Sequence, residues 1–274
     1  MDSNVEQRPL FDRALVEGLT EAVAAAAVAI LRIGRGALDI RTKADASPVT
    51  GADEHSQAML VAAASRLMPD VDIVAEEMAR LPAQPGDPFV LIDPLDGTKE
   101  YVAGSGEYTV NLAVVRAGRP VAGFIAVPAA GLLYRGIVGF GADRLGIRPD
   151  GGLADPVPIR IREAPVGGLV ATVSRSHLDP ATVALLERIG VTTRLPCGSA
   201  LKFCRIAEGA ADLYPRLATT CEWDVAAGHA LVEAAGGAVT SPSGAPLHYG
   251  NGAARYRVPS FIAWGDHSLV TPAG

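Results

Sequence analysis

The sequence has little cysteine, no long apolar run and no excess of basic residues. Its three cysteines form no Cys-x-x-Cys pair, which argues against a disulfide scaffold or a zinc cage and favours a reducing compartment. The longest apolar run, residues 22–31, is half of the roughly 20 residues that a membrane span needs, so we expect a buried helix there. The 24 Lys and Arg against 30 Asp and Glu give a net charge of −6, which argues against a nucleic-acid polymer as partner.

The first residues also lack the basic start and apolar core of a secretion signal. We therefore expect a cytoplasmic protein with no integral membrane association. Loose attachment to the inner face of the cell membrane and a homodimer both stay open.

The apolar patterns predict two unlike halves. In the first half, two helical patterns and a series of β-rich runs follow one another: helices at 11–34 and 54–68, and strands at 71–75, 89–92, 108–115, 121–127 and 132–138. In the second half, helical and strand patterns alternate: strands near 168–174, 191–195, 211–214 and 260–264, and helices at 180–189, 199–208 and 224–235. These patterns predict an α+β half with an antiparallel sheet, residues 1–155, and an α/β half, residues 156–274.

The clearest functional signal is the string Asp-Pro-Leu-Asp-Gly-Thr at residues 93–98. A fully apolar strand ends at Asp93, and Asp96 follows three residues later. Two carboxylates held close together repel each other unless a cation lies between them. Hard oxygen ligands at this density suit Mg²⁺, and Glu76, at the end of another strand, adds a third acid.

Each of these acids also has a purely structural interpretation. An acid at a strand end is often a solvated turn residue or a helix N-cap, and this stays open for Asp53 and Glu77 taken alone. Asp224 precedes the helical pattern at 225–235, where we expect it to cap the helix and keep one oxygen for a metal. A phosphoaspartate enzyme needs its acids two residues apart, and the sequence has neither a Gly-x-x-x-x-Gly-Lys phosphate loop nor a Gly-x-Ser-x-Gly elbow. Metal-activated water is therefore the better hypothesis.

At these residues the sequence resembles the inositol monophosphatase superfamily of Mg²⁺-dependent, lithium-sensitive phosphatases. Besides residues 93–98, the matching strings are Glu76-Glu77, Trp223-Asp224 and the segments 43–50, 106–111, 174–177, 198–204, 213–216 and 223–229. Because Lys99-Glu100-Tyr101 follows Thr98, the sequence is most similar to the CysQ-type 3'(2'),5'-bisphosphate nucleotidases of that superfamily. The likeness spans nearly the whole chain.

The resemblance implies a layered αβαβα sandwich, an α/β fold of the inositol monophosphatase and fructose bisphosphatase type, with the site between the two halves. It implies two or three Mg²⁺ ions, held by the side chains of Glu76, Asp93, Asp96 and Asp224 and by the Leu95 carbonyl. Asp53 and Thr98 would orient and deprotonate the attacking water. Substrate contacts are expected from the same region, at Glu76, Leu95, Asp96, Gly97, Thr98 and Asp224.

A substrate with two phosphates needs a second anion site. Ser199 and Lys202 lie three residues apart at the start of a helical pattern, so we expect them to share a face near its positive end. Arg216 and His177, both at strand ends of the second half, would complete this phosphate site. Surface charges and an ordinary loop histidine remain the alternatives for Lys202, Arg216 and His177.

The remaining aromatic residues, histidines and cysteines are interpreted as structural. We expect Tyr108 and Tyr214 in the core rather than stacked on an adenine, His229 in a structural role, and Cys204 and Cys221 as buried thiols.

The leading hypothesis is a hydrolase that removes the 3'-phosphate of adenosine 3',5'-bisphosphate (PAP), giving AMP and phosphate, with the sulfated relative PAPS as a further substrate. Inositol monophosphate or fructose 1,6-bisphosphate as the substrate on the same fold is the first alternative. A non-catalytic sensor of nucleotide or Mg²⁺ is the second.

Overall fold

The computed structural model describes residues 11–34, 40–42, 48–175 and 178–270. Its helices are α1 (Arg13–Ile33), α2 (Gly51–Leu67), α3 (Thr98–Ala103), α4 (Pro180–Ile189), α5 (Leu201–Ala207) and α6 (Glu222–Ala234). The strands of the first half are β1 (Arg41–Thr42), β2 (Pro48–Val49), β3 (Asp72–Ala75), β4 (Phe89–Asp96), β5 (Thr109–Arg116), β6 (Arg119–Val127), β7 (Leu132–Ile137), β8 (Gly141–Gly146) and β9 (Val157–Ile159). Those of the second half are β10 (Leu169–Ser174), β11 (Val191–Cys197), β12 (Leu213–Arg216), β13 (Thr220–Cys221), β14 (Ala238–Thr240), β15 (Arg257–Val258) and β16 (Phe261–Trp264).

Strands β3 to β9 form one seven-stranded sheet in chain order. β3 runs parallel to β4 and every other neighbouring pair is antiparallel, which confirms the predicted antiparallel sheet. The sequence did not predict β8 and β9, because most of their residues are half-buried or exposed and lack an apolar alternation. β4 does not stop at Ile92 but continues to Asp96, with a break in its pairing between Asp93 and Asp96. Both acids therefore belong to a buried strand rather than to a loop beyond it.

Helix α1 is the apolar helix predicted for the run at 22–31. Asp12 caps its start by accepting from the Leu15 backbone N–H, and Gly34, at φ 65°, ends it. By length and composition alone this helix could cross a membrane. Its apolar face is instead buried, with Leu19, Val23 and Ile30 fully covered, and it packs on α2, β5 and β6. The prediction of a buried core helix is confirmed.

The second sheet has the order β11-β10-β12-β16-β14. Helix α4 packs on β11 and β12, whereas α5 and α6 lie between the two sheets, and α6 contacts β4 to β7 on one side and β14 and β16 on the other. Gly123 on β6 makes this contact possible, because a Cβ there would stand 2.1 Å from the Ala227 carbonyl oxygen. The layers are therefore αβαβα, as predicted. The first sheet reaches Ile159, beyond the proposed boundary at 155, and the division into two domains stays a prediction.

Two helices begin earlier than expected. α2 starts at Gly51 with Thr50 as its N-cap, and Asp53 lies inside the first turn. α6 starts at Glu222 with Cys221 as its N-cap, so the prediction that Asp224 itself caps the helix is wrong. In both cases the carboxylate is three residues past the cap and accepts its backbone N–H, at 2.8 Å for Asp53 and 3.0 Å for Asp224. This reciprocal capping box holds each carboxylate in a fixed place.

Candidate active site

Four acids from three parts of the fold gather between the sheets. Glu76 directly follows β3, Asp93 and Asp96 lie on β4, and Asp224 is in the first turn of α6. Burial, and then the charges of Glu76, Asp96 and Asp224, raise the pKa of Asp93 well above its usual value. Burial and the Asp224 carboxylate raise the pKa of Asp96 to about 6, although Lys202 opposes them. The four side chains are therefore close enough to repel one another.

This donor set fits a divalent cation. Carboxylate oxygens are the ligands that Mg²⁺ prefers. The raised pKa values of Asp93 and Asp96 come first from burial and then from repulsion between the acids, and a cation would offset both. Within the described ranges, no three His, Cys, Asp or Glu side chains already surround a single point as metal ligands do. Some carboxylate oxygens hold other partners, since Asp93 Oδ1 accepts from the Leu95 N–H at 3.1 Å. The assignment of Glu76, Asp93, Leu95, Asp96 and Asp224 as ligands stays a prediction.

Thr98 and Asp53 are joined by a hydrogen bond beside the acids. The Thr98 hydroxyl lies 3.0 Å from Asp53 Oδ1 and 3.3 Å from the Leu95 carbonyl oxygen. The other Asp53 oxygen accepts from the Thr50 hydroxyl at 2.6 Å and from the Thr50 N–H. Asp53 is buried, so its carboxylate is held on both sides with Thr98 as its link to the cleft.

A cleft of about 190 Å³ opens next to the acids. Six of the predicted site residues line it: Asp96, Gly97, Ser199, Lys202, Arg216 and Asp224. The other predicted residues do not line it: Asp53, Asp93 and Leu95 are buried, whereas Glu76 and Thr98 are half-buried. His177 falls outside the described residues.

Two cations, Lys202 and Arg216, stand on the cleft wall. The Lys202 ammonium is buried, donates to the Ser199 carbonyl oxygen at 2.6 Å and lies 5.1 Å from the centre of the Tyr214 ring. The Nε–H of Arg216 is also buried and has no hydrogen-bond partner among the described residues. A buried donor without an acceptor costs free energy, so an anion in the cleft would satisfy it.

Ser199 differs from its prediction. Helix α5 starts at Leu201, so Ser199 precedes it and does not share a helix face with Lys202; that expectation is wrong. Ser199 has φ 49°, and its hydroxyl donates to the carbonyl oxygens of Asp96 at 2.8 Å and Glu107 at 3.0 Å. It therefore joins the two halves across the cleft, while its contact with substrate stays a prediction.

The comparisons with known proteins agree with this geometry. The family model described as the inositol monophosphatase family matches residues 13–268. The chain belongs to the inositol monophosphatase family. It is 36% identical over 223 residues to the 3'(2'),5'-bisphosphate nucleotidase CysQ of Escherichia coli strain K12, covering 79% of this chain and 85% of that protein.

Solved structures of the family share the fold over almost the whole chain. The crystal structure of CysQ from Bacteroides thetaiotaomicron has a TM-score of 0.78 and 32% identity, covering 93% of this chain and 98% of that one. The inositol monophosphatase from Anabaena has a TM-score of 0.72 and 26% identity, covering 94% and 97%. The chain is thus an enzyme of a generally metal-dependent family of phosphatases, and its substrate is to be found among phosphorylated small molecules.

Three residues at the site were not predicted from the sequence, although the family-like strings contain them. Glu107 and Arg175 form an ion pair at the mouth of the cleft. Asn111 is buried on β5, and its side-chain amide has no hydrogen-bond partner among the described residues. A polar residue within an otherwise apolar strand was the available signal for Asn111, whereas nothing in the sequence pairs Glu107 with Arg175.

The residues interpreted as structural lie in the core of the fold, except for Cys221. Tyr108 and Tyr214 are buried, and Tyr214 packs edge-on against aromatic rings of the core. His229 is fully buried on α6, where it contacts Tyr249 and Glu233. The cysteines are free: Cys204 is fully buried, and Cys221 is half-buried rather than buried.

Proposed function

We propose that the protein is a Mg²⁺-dependent phosphomonoesterase that removes the 3'-phosphate of PAP, giving AMP and phosphate, and also accepts PAPS. One observation carries this proposal: a single cleft has clustered acids at one end and the cations Lys202 and Arg216 on its wall. Such a cleft matches a substrate with two phosphates, one beside metal ions and one beside fixed positive charge. The CysQ relatives support the nucleotide as the particular substrate.

The acids would hold two or three Mg²⁺ ions, with Glu76, Asp93, Asp96 and Asp224 as side-chain ligands and Leu95 as a carbonyl ligand. Bound Mg²⁺ supplies an acidified water and neutralises charge on the phosphate. The protein's own contribution is a rigid frame. β4 is buried and paired on both sides, and the α6 capping box fixes the Asp224 carboxylate.

Thr98 and Asp53 would take the proton of the attacking water. The Thr98 hydroxyl accepts that proton as it passes its own along the 3.0 Å hydrogen bond to Asp53. Asp53 keeps its position during this transfer because the Thr50 backbone and hydroxyl hold its other oxygen. A positioned base of this kind contributes about 10² to 10⁴ in rate.

Lys202 and Arg216 would bind the second phosphate. Both are largely withdrawn from solvent, so their attraction for an anion is screened less than that of surface cations. This local charge matters because the chain as a whole carries −6. Free thiols at Cys197, Cys204 and Cys221 support the cytoplasm as the compartment of the reaction.

The experiment that tests the proposal measures phosphate release from PAP, PAPS, inositol 1-phosphate and fructose 1,6-bisphosphate, with Mg²⁺ and after chelation with EDTA. We expect the highest kcat/KM for PAP and no turnover in EDTA. A higher kcat/KM for inositol phosphate or fructose bisphosphate would assign the site to that substrate instead. A folded protein that turns over none of them would support the sensor hypothesis.

A second measurement separates the two ends of the cleft. In wild-type protein we expect kcat/KM for PAP to exceed that for adenosine 3'-monophosphate, which lacks the second phosphate. Lys202→Met should reduce this preference by about tenfold, the loss of one charge-assisted contact. Arg194→Met, which removes an exposed cation of the same half, is the matched control and should keep it. An unchanged preference in Lys202→Met would contradict the second-phosphate site.

A further inference from the structure

The side chain of Asn111 is an anomaly in the centre of the first sheet. It is 1% exposed, and neither its Oδ1 nor its Nδ2 has a hydrogen-bond partner in the described part of the chain. The neighbouring residues of β5 are apolar: Val110, Leu112, Ala113, Val114 and Val115. A buried amide left unsatisfied costs about 1–3 kcal/mol, and a leucine or valine would avoid that cost.

The register of the sheet places this amide beside the acids. Asn111 on β5 pairs directly with Asp93 on β4. Directly opposite residues of antiparallel strands project from the same face, with their Cβ atoms about 5 Å apart. Leu91 and Ala113, which flank this pair on the same face, belong to the apolar cluster packed around α6. The Asn111 amide and the Asp93 carboxylate therefore lie together on the side from which α6 brings Asp224.

In the next pair along the same two strands, the polar side chain of β5 does contact the acid of β4. Thr109 on β5 is opposite Asp96 on β4, and its buried hydroxyl lies 3.5 Å from Asp96 Oδ2. β5 thus puts a polar side chain opposite each acid of β4, Thr109 for Asp96 and Asn111 for Asp93. For Thr109 the contact is already a long hydrogen bond. The Nδ2–H of Asn111 is in the corresponding position opposite Asp93, but it donates no hydrogen bond within the described part of the chain.

We propose that Asn111 is a positioning residue of the metal site, whose Nδ2–H donates to the Asp93 carboxylate and fixes its orientation toward a bound divalent cation. This inference rests on the proposed metal site and adds to it a residue outside the ligand set. Asp93 Oδ1 already accepts from the Leu95 N–H, and the Asp93 side chain also has a hydrogen bond with Glu76. The Asn111 amide would be a third group that orients this carboxylate. Partners that orient metal ligands typically contribute 10- to 100-fold in metal affinity.

The test is Asn111→Leu, which keeps the branching at Cγ and removes both polar atoms. We expect its affinity for Mg²⁺, measured by isothermal titration calorimetry on the chelator-treated protein, to fall by about tenfold or more. In EDTA the variant should melt at or above the wild-type temperature, because an unsatisfied buried amide has been removed. If Asn111 had only a structural role, the variant would melt at or above the wild-type temperature while its Mg²⁺ affinity stayed unchanged. Asn111→Ala, which cannot overfill the site, repeats the measurement if the leucine disturbs folding.

Thr172→Val is the matched control. The Thr172 hydroxyl on β10 is also fully buried and lacks a partner among the described residues, but it lines no part of the cleft. Its removal should leave Mg²⁺ affinity unchanged. The inference is overturned if both Asn111→Leu and Asn111→Ala bind Mg²⁺ within about twofold of wild type, or if Thr172→Val loses as much affinity as they do. Either result leaves the proposed metal site itself intact. Absence of Mg²⁺ binding to wild-type protein overturns the proposed metal site, and this inference with it.

Discussion

Arg175 and Glu107 clamp the two halves of the molecule together at the mouth of the cleft. The Nε and Nη2 atoms of Arg175, directly after β10, each lie 2.7 Å from a carboxylate oxygen of Glu107, which precedes β5. The same carboxylate accepts from the Gly198 N–H at 2.9 Å, and the Arg175 hydrogen bonds lower the pKa of Glu107. A Cβ on Gly198 would stand 2.4 Å from the Glu107 carbonyl oxygen, so the contact is close. The clamp therefore links the two halves beside the cleft, which Arg175 helps to line.

The first prediction is that Glu107→Gln raises KM for the preferred substrate by about fivefold and leaves kcat within about twofold. The pair is partly exposed, so its loss corresponds to about 1 kcal/mol, and it touches the rim of the cleft rather than the acids. Steady-state kinetics at saturating Mg²⁺ provide the measurement. Glu187→Gln, which removes the exposed pair with Arg194, serves as control and should leave both constants unchanged. A fall in kcat at constant KM would show that the clamp acts on the chemistry instead.

The second prediction concerns stability without metal. Burial and the Asp224 carboxylate raise the pKa of Asp96 to about 6, above its unfolded value of 3.8. The favourable contribution of this group is therefore complete below about pH 4 and is lost as the pH rises through about 6. At pH 7.5 in EDTA, Asp96→Asn should raise the melting temperature by at least about 2 °C, because it removes one of the repelling charges.

Calorimetric unfolding of both proteins, with and without Mg²⁺, checks this prediction. We expect Mg²⁺ to stabilise the wild type strongly and Asp96→Asn much less, with little phosphatase activity left in the variant. A lower melting temperature of Asp96→Asn in EDTA at pH 7.5 would mean that Asp96 stabilises the fold in its charged form. The four acids would then not repel one another in the metal-free protein, and the proposed cation site would lose its support.

The sequence predicted most of the elements because their patterns are local, whereas the order of the layers was implied by the family resemblance. An apolar strand such as Phe89–Ile92 and a capped apolar helix such as Arg13–Ile33 are specified by neighbouring residues. Element ends were less predictable. A capping box puts a carboxylate inside the helix, so Asp53 and Asp224 were assigned to positions before their helices. The local pattern does not distinguish a carboxylate at the cap from one three residues later.

Contacts between distant segments were the part that the sequence did not reveal. The clamp joins residues 107 and 175, and the hydroxyl of Ser199 joins the carbonyl groups of Asp96 and Glu107. No periodicity relates these positions. The pairing of Asn111 with Asp93 likewise depends on the register between β4 and β5, and the break after Asp93 shifts only the next pair, Asp96 with Thr109. These contacts follow from tertiary packing, and only the three-dimensional arrangement shows them.

The third prediction is a pH dependence of stability that comes from His229. Its Nε2 lies 2.9 Å from Glu233, which also pairs with Arg119, and its Nδ1 lies 2.9 Å from the Tyr249 hydroxyl. Burial lowers the pKa of His229, and Arg119 adds to this, although Glu233 opposes it. Since the folded pKa is below the unfolded one, the stabilising contribution is complete above about pH 6.5 and is lost as the pH falls through the folded value.

Replacement of His229 should weaken the pH dependence of the free energy of unfolding. In His229→Gln, the free energy of unfolding should lose a dependence of up to about 1.4 kcal/mol per pH unit on the acid side of pH 6.5. Urea titrations between pH 5 and 7.5 measure it, with wild type and variant compared at each pH. His55→Gln, at an exposed position of α2, is the control and should retain the wild-type slope. Equal slopes in His229→Gln and wild type would contradict the assignment.

The fourth prediction concerns the hydrogen bond between Thr98 and Asp53. If Thr98 passes a proton to Asp53, then Thr98→Val should lower kcat by about 10² or more, whereas Thr98→Ser, which keeps the hydroxyl, should retain most of it. Neither variant removes a carboxylate, so the calorimetric affinity for Mg²⁺ should stay within about twofold of wild type.

Asp53→Asn should resemble Thr98→Val in kcat, because the amide keeps an acceptor for the Thr50 N–H but is not a base. The double variant should then be no slower than the worse single one, since both residues serve one transfer. Fully additive losses would mean that Thr98 and Asp53 act independently, and the water would lose its proton by another path.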